Sequence, residues 1–421
     1  MLVLNRTLFY GKMIVEKMKS IFVNLFHKYL FGLKYLTKEK LYNNTDLYFP
    51  VLENIIKNEA KIDIRLDLTR QCNLKCVYCH YSLPSTKNIP DYNLNLGDIK
   101  QIFANCGDSI HQINLSCGHE PLINKDFIPI IEFLHNYHPE VLIYFVSNCT
   151  LLDKRKRLSI VENNVDTITF SIDASIKETY EKIRKGARFE KVISNILALK
   201  ELKVKLRSKN PKVHAIFVML NSNIQEADQF LDQLEFLGIE SITFHHLVKE
   251  GAINYEEESL FNYKAKFNYY RKLITSKATA LQIPISIPEK FSIEEDWFPY
   301  SKEQEVNVEE MREVIPDENL DCTESKLGNV YQKKVENKFI DKFKPRCSFP
   351  FKEVHIKQKR YIKPCAYLSG PPLGDLKKEK SILKVFQNEE FSKLRKSMFE
   401  SEIDMRCRKC PLVEKQISNN R

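Results

Sequence analysis

No uninterrupted apolar run in this chain of 421 residues reaches the roughly 18 residues that a membrane span needs. The apolar stretch near the N-terminus is broken by Lys12, Glu16, Lys17 and Lys19, and it lacks the clean hydrophobic core and cleavage site of a signal peptide. A bilayer-spanning protein is therefore not expected, and a cytoplasmic location is. There is no short internal repeat and no low-complexity segment, which sets repeat architectures aside. A broad basic surface is missing too. The formal charge is +10, but residues 1–40 hold eight Lys/Arg against two Asp/Glu and so carry most of it. The rest is only mildly basic, and no nucleic-acid partner is inferred.

What is present is a 43% hydrophobic composition and eleven cysteines. The length and composition allow a sizeable core. In a reducing compartment the cysteines read as metal ligands or free thiols and not as disulfides. Residues 13–36 have the spacing of a dense amphipathic helix, read here as packing on the main domain; contact with a membrane surface is the less favoured reading. From residue 61 the pattern becomes strict alternation, with Ile62, Ile64, Leu66 and Leu68 between polar neighbours, which predicts a strand. Further β-type runs lie at 112–116, 141–147, 167–173, 213–220 and 241–247. Helical periods lie between them at 96–104, 126–137, 154–163, 189–202 and 224–237.

Six strands alternating with helices predict α/β architecture with a parallel sheet, because a parallel return needs a helix-length crossover. The pattern allows an open doubly wound sheet or a partial barrel; eight repeats are not visible, so a full barrel is not expected. The expected organisation is a basic helical extension over 1–60, a core over 61–248, a connector with a helical piece over 249–346 and a small separate unit over 347–421.

The chemistry concentrates in two cysteine sets. The first, Cys72, Cys76 and Cys79, follows the first strand directly, and loops at the C-terminal ends of parallel strands form active sites. Three thiolates on so short a loop suit one soft metal centre, either an iron–sulfur cluster or a zinc ion with His80 as fourth ligand. The Cx₃Cx₂C spacing, with Tyr78 before the last cysteine, resembles the signature of the radical S-adenosylmethionine (SAM) superfamily. The resemblance implies a partial (β/α)₆ barrel. It also implies a [4Fe–4S] cluster with one open iron, which SAM chelates and which reductively cleaves SAM to a 5′-deoxyadenosyl radical. The stretch from Ser116 to Pro121 resembles the family's turn that binds the SAM amine, with Gly118 and Glu120 in the matching places and His119 where a second glycine is usual. Ser147-Asn148-Cys149 stands where relatives commonly have threonine-asparagine-glycine. Ser171, Asp173 and Arg184 match the stretch that holds the SAM ribose and carboxylate, and Tyr78 joins this cofactor-binding set. Read without the resemblance, these are a strand-end serine, an N-capping aspartate and a solvated arginine.

The second set is Cys347, Cys365, Cys407 and Cys410. Four thiolates in two pairs suit a closed cluster or a Cys₄ zinc ribbon. The order resembles the auxiliary-cluster domains called SPASM and twitch, with Arg360 where a turn glycine is usual and no cysteine beyond Cys410. One auxiliary [4Fe–4S] cluster is what this implies. Cys106 reads as a buried hydrophobe and Cys322 is left over; Cys117 and Cys149, at strand ends, carry a minor reading as hydrogen donors to a substrate radical. The expected partners are a peptide or small-molecule substrate and an external electron donor. The competing reading is a non-catalytic zinc-binding scaffold whose basic N-terminus docks an acidic surface.

Overall fold

The computed structural model describes residues 45–59, 61–82, 91–104, 109–116, 118–247, 255–292, 345–357, 360–365, 368–400, 402–408 and 410. The helix expected over 13–36, Cys106, Cys117, Cys322 and much of the connector lie outside the described residues.

The six expected strands are present as β1 (Ile62–Leu66), β2 (Ile110–Asn114), β3 (Leu142–Ser147), β4 (Thr167–Ser171), β5 (Lys212–Met219) and β6 (Ser241–His246). Each pairs in parallel with the next. The described helices between them include α1 (Thr45–Glu59) before β1, α2 (Leu96–Ala104), α3 (Phe127–Tyr137), α4 (Lys154–Glu162), α5 (Lys177–Ile183) and α6 (Phe189–Lys205). α7 (Lys264–Ala280) and α8 (Glu389–Ser397) follow. The helical period over 224–237 is realised as three short turns, Ile224–Glu226, Ala227–Leu231 and Leu234–Leu237. In the first of these Glu226 turns its carboxylate onto the Ser175 and Ile176 amides.

Four further strands extend the sheet at its two ends. β7 (Ile285–Ser286) pairs with β6, and β8 (Glu353–Lys357) pairs in parallel with β1. β9 (Tyr361–Lys363) and β10 (Gly374–Asp375) then continue antiparallel. Among the described residues the order is β10-β9-β8-β1-β2-β3-β4-β5-β6-β7, an open sheet and a partial barrel. The segment from Cys347 is thus built onto the edge of the same sheet and not set apart from it.

Side chains alternate across a strand. The helix-facing residues Ile143, Phe145, Ile168, Phe170, Ala215, Phe217, Ile242 and Phe244 are at most 3% exposed. The opposite, concave face is different. It carries Asp63, Arg65 and Asp67 from β1 and its end, Gln112 and Asn114 from β2, Thr169 and Ser171 from β4, and Thr243 and His245 from β6. Parallel sheets covered on both faces usually read as continuous apolar runs. The polar alternation of β1 therefore marks a strand whose second face lines a polar chamber, and towards the strand ends Ser171, Ile216, Val218, Thr243 and His245 stay at least partly accessible.

The C-terminal segment is fastened to α1 by one buried pair. Arg395 on α8 is fully buried; its Nε donates to Glu53 Oε1 at 2.5 Å and its Nη2 to Oε2 at 3.1 Å. The other terminal nitrogen donates to the Phe386 carbonyl at 2.9 Å, and the guanidinium lies over the Phe386 ring.

Candidate active site

The loop after β1 is held by its backbone. The amides of Lys75 and Val77 donate to the carbonyls of Lys185 and Ile183, both at 2.9 Å. Leu74 is buried, and Val77 and Tyr78 pack against Ile183, Leu220 and Leu247. This presents Cys76 buried, Cys79 half-buried and Cys72 exposed at the C-terminal end of the sheet. Burial pushes the Cys76 thiol up to about 12, opposed by the nearby Arg184 charge. Metal loading must therefore displace protons from these thiols. Nitrogen donors already face the sulfurs: Arg184 Nη1 lies 4.0 Å from Cys76 Sγ and Asn148 Nδ2 3.8 Å from Cys72 Sγ.

Behind the loop, Tyr78, Asp173 and Arg184 form a triad. Tyr78 Oη donates to Asp173 Oδ2 at 2.7 Å, and Arg184 Nη2 reaches the same Oδ2 at 2.7 Å and Tyr78 Oη at 2.8 Å. Asp173 Oδ1 accepts the Val218 amide at 2.9 Å. Asp173 and Arg184 are 0% and 4% exposed, so neither is the surface cap nor the solvated cation that an isolated reading allows. Arg184 Nε is buried without a hydrogen-bond partner. Ser171, at the end of β4, is half-buried on the concave face.

Glu120 is 2% exposed and its carboxylate is engaged by the chain itself. Oε1 accepts from Ser147 Oγ at 2.9 Å and the Leu122 amide at 3.1 Å, and Oε2 accepts from the Asn148 amide at 2.7 Å. The expectation of a carboxylate offered to a SAM ammonium thus meets a group that brackets the ends of β2 and β3. Gly118 donates its amide to Asp67 Oδ1 at 2.9 Å, and a Cβ there would collide with the Tyr81 ring. His119, where a second glycine is usual, packs at a tilt against Tyr81 with centroids 3.9 Å apart. Cys149 adopts φ +62°, a left-handed conformation that favours glycine. Its thiol is fully buried and donates to the Ser147 carbonyl at 3.5 Å.

Burial raises the Glu120 carboxyl from its usual 4.5 to about 7. The folded chain therefore holds this proton more tightly than the unfolded chain, and stability falls as pH rises through that window. The group should cost the ligand-free protein about 3 kcal/mol between pH 4.5 and pH 7. Glu120→Gln should lack this pH-dependent part, and parallel denaturation curves for the two proteins across the window would refute the shift.

The second set converges as well. Cys347, Cys365, Cys407 and Cys410 line one cavity walled by Phe349, Leu368 and Met398. β9 delivers Cys365, the Cys410 amide donates to the Cys407 carbonyl at 3.0 Å, and burial pushes the Cys347 and Cys407 thiols up to about 11 and about 12. Arg360 pairs with Asp375 through two nitrogens, tying the β8–β9 turn to β10. Gly374 passes so close to Val385 that a side chain would not fit. Among the described residues no three His, Cys, Asp or Glu side chains converge on one point tightly enough to grip a single metal ion.

The four C-terminal cysteines thus line one cavity, the other three lie on one loop, and Tyr78, Asp173 and Arg184 form one network. Sequence reasoning quoted Asn148 only as part of a motif and missed its place. Its Nδ2 donates to Asn73 Oδ1 at 3.1 Å while its Oδ1 accepts the Thr150 hydroxyl at 2.6 Å. Asp67 was missed as well, although polar alternation running past the end of β1 was a usable signal. Among the described residues no helix is long and apolar enough to cross a membrane.

Residues 66–234 match the family model of the Radical SAM superfamily. GTP 3′,8-cyclase of Nautilia profundicola is 30% identical over 200 residues, covering 46% of this chain and 58% of that relative. The chain spans about half the length of the curated relatives it matches. The structure of Streptococcus suis SuiB bound to S-adenosylmethionine shares the fold with TM-score 0.58 at 14% identity, over 94% of this chain and 82% of that one. SuiB bound to precursor peptide SuiA gives TM-score 0.57 at 13% identity, over 96% and 84%. With the parallel sheet, the three-cysteine loop at its C-terminal end and the family match all falling on the same stretch, this chain carries a radical SAM domain.

Proposed function

We propose that the chain is a radical SAM enzyme that takes a peptide or small-molecule substrate through hydrogen abstraction to net oxidation or cross-linking, using a [4Fe–4S] cluster at Cys72, Cys76 and Cys79 and one auxiliary cluster. The observation that carries this reading is the loop after β1. Three thiols lie at the mouth of a polar, partly open chamber, with nitrogen donors facing two of them. A cubane cluster has four irons, so three protein ligands leave one position for SAM. When bound there, SAM and the reduced cluster supply the 5′-deoxyadenosyl radical.

The chain's own residues have separable tasks in this reading. Arg184 carries charge beside Cys76, and its unpartnered Nε suits an anionic ligand group such as a carboxylate. Asp173 and Tyr78 fix the guanidinium. Glu120 positions the turn that bears Gly118, whose missing side chain makes room for the Tyr81 ring. Ser171 faces the chamber. The four C-terminal thiols line one cavity, and four thiolates could hold either a cluster or one tetrahedral ion. The peptide alternative is supported by the fold shared with SuiB, the small-molecule alternative by similarity to a GTP cyclase.

The test is iron and sulfide analysis with product analysis on protein reconstituted without oxygen. About eight irons per chain and reductive formation of 5′-deoxyadenosine are expected. Colourless protein holding only zinc after reconstitution would favour the scaffold.

A closed Cys₄ set leaves no iron for substrate, so the second site reads as an electron carrier. Cys410→Ala should then spare deoxyadenosine formation while suppressing product, with the first cluster fully loaded by iron analysis. Full product formation in that variant would make the second site structural and remove the preference for oxidation.

A further inference from the structure

The carboxylates of the concave face are hidden from a ligand in the chamber. Asp63, Asp67, Asp173 and Glu353 are at most 7% exposed. Two cations on the same face are different, since the Arg65 and Lys357 side chains remain 32% and 30% exposed. Each is held by one of the buried carboxylates. Arg65 Nε lies 2.8 Å from Glu353 Oε2, and Lys357 Nζ lies 3.8 Å from Oδ2 of Asp67, the residue that also receives the Gly118 amide. A third cation on this wall, Lys363, is committed to the carbonyls of Leu368 and Gly370, both at 3.0 Å.

The backbone sets these two side chains close together. β8 lies beside β1 with His355 opposite Arg65, so Lys357 stands one strand over and two residues further towards the cysteine loop. That places the two Cα atoms about 8 Å apart, near enough for two long side chains to meet on one group. The opposite wall is uncharged, with Ser171, Ile216, Val218 and Thr243 accessible on it. His245 is accessible too, and burial lowers its pKa against the Asp173 charge, so the ring is neutral at neutral pH. The summed charge of the two ion pairs is zero. What a ligand meets is nevertheless the cationic side of each pair, because the carboxylates are closed off from solvent, and charge-assisted hydrogen bonds to an anion form from that side.

We propose that Arg65 and Lys357 form a substrate subsite for one anionic group, a carboxylate or a phosphate, on the strand pair that joins the two cysteine sets. The inference rests on the radical SAM reading and narrows its substrate class. β1 runs into the loop bearing Cys72, Cys76 and Cys79, while β8 leads through β9 to Cys365. An anionic group seated on this wall holds the remainder of the substrate between the site of hydrogen abstraction and the site that takes up the electron. Glu353 and Asp67 are positioning residues, which fix the guanidinium and the ammonium without meeting the ligand themselves.

The experiment uses reconstituted, full-length protein with its cluster oxidised and SAM present, so that the SAM carboxylate occupies its own site and SAM is not consumed. Three probes share one small skeleton: glycerol 3-phosphate, glycerate and uncharged glycerol. Their dissociation constants are read by saturation-transfer NMR. One of the two anions should bind about tenfold or more tighter than glycerol, and which of them does so tells a phosphate substrate from a carboxylate one. Lys357→Gln should weaken that binding by about tenfold or more. Arg65→Gln is combined with Glu353→Gln, so that no buried carboxylate is stranded, and should weaken it likewise; the variants are compared at matching iron content. Lys205→Gln, exposed in the last turn of α6, should bind the probes as the unaltered protein does. Anions bound no tighter than glycerol, or bound equally by the unaltered protein and both variants, would overturn the subsite. Absence of iron and of SAM cleavage on reduction in the unaltered protein would instead overturn the radical SAM reading on which the substrate role rests.

Discussion

Protein in which Cys76 is replaced by alanine should form no 5′-deoxyadenosine above background while remaining folded. Cys76 is the most shielded thiol of its set and the one Arg184 approaches, so its loss leaves two ligands for a four-iron cluster, while Arg184 keeps its pair with Asp173. The loop itself does not depend on the thiol. Its amides at 75 and 77 are tied to the carbonyls at 185 and 183, and Leu74 fills the core beneath. The structural cost should therefore be the modest one of removing a small buried group, about 1–2 kcal/mol. Circular dichroism and a denaturation midpoint would establish folding, and deoxyadenosine would be quantified after reduction with SAM. Undiminished product in the variant sinks the assignment of this loop as the cluster site.

The other large effect is expected far from the loop. Glu53→Ala removes the carboxylate that faces both inner nitrogens of Arg395, and it leaves a fully buried guanidinium with carbonyl partners alone. Breaking a buried pair from one side costs about 3–5 kcal/mol, because the remaining charge has no counter-ion. α8 carries Leu394 and Arg395 and leads into Met398, which walls the four-cysteine cavity. Loss of stability should thus come with loss of iron from the second site before the first. Glu53→Leu combined with Arg395→Met should recover much of the stability, since an apolar pair replacing both partners avoids the uncompensated charge. Denaturant unfolding of the single and double variants is the measurement. A Glu53→Ala protein as stable as its parent would show that the pair holds nothing together.

Much of the core was legible because its periods are long and clean. Ile62, Ile64 and Leu66 alternate without a break, and the helix at 96–104 has the bounds its pattern predicts. The cysteine spacing was legible for a different reason: a metal centre demands several soft ligands close together, and few other chemistries do. Roles that depend on tertiary partners were not readable. Glu120 reads as a turn carboxylate offered to a ligand, and only the fold shows three donors converging on it from 122, 147 and 148. Strands of two residues, such as β7 and β10, carry no periodicity to detect. They exist because an exposed sheet edge accepts them.

The pairing of β8 with β1 bears on how the chain comes to be folded. β1 is made early, and its second neighbour is made roughly 290 residues later. At ribosomal rates of about 5–20 residues per second, the edge of β1 stays open for about 15–60 s during synthesis. Through that interval a strand bearing Ile62, Ile64 and Leu66 has a free ladder of amides and carbonyls, the form in which nascent sheets pair with wrong partners. The register of β1 against β2 can be set cotranslationally, but the platform under the cysteine loop is completed only when β8 has left the ribosome. Productive yield in a cell should therefore depend on whatever shields that edge until residues 353–357 arrive.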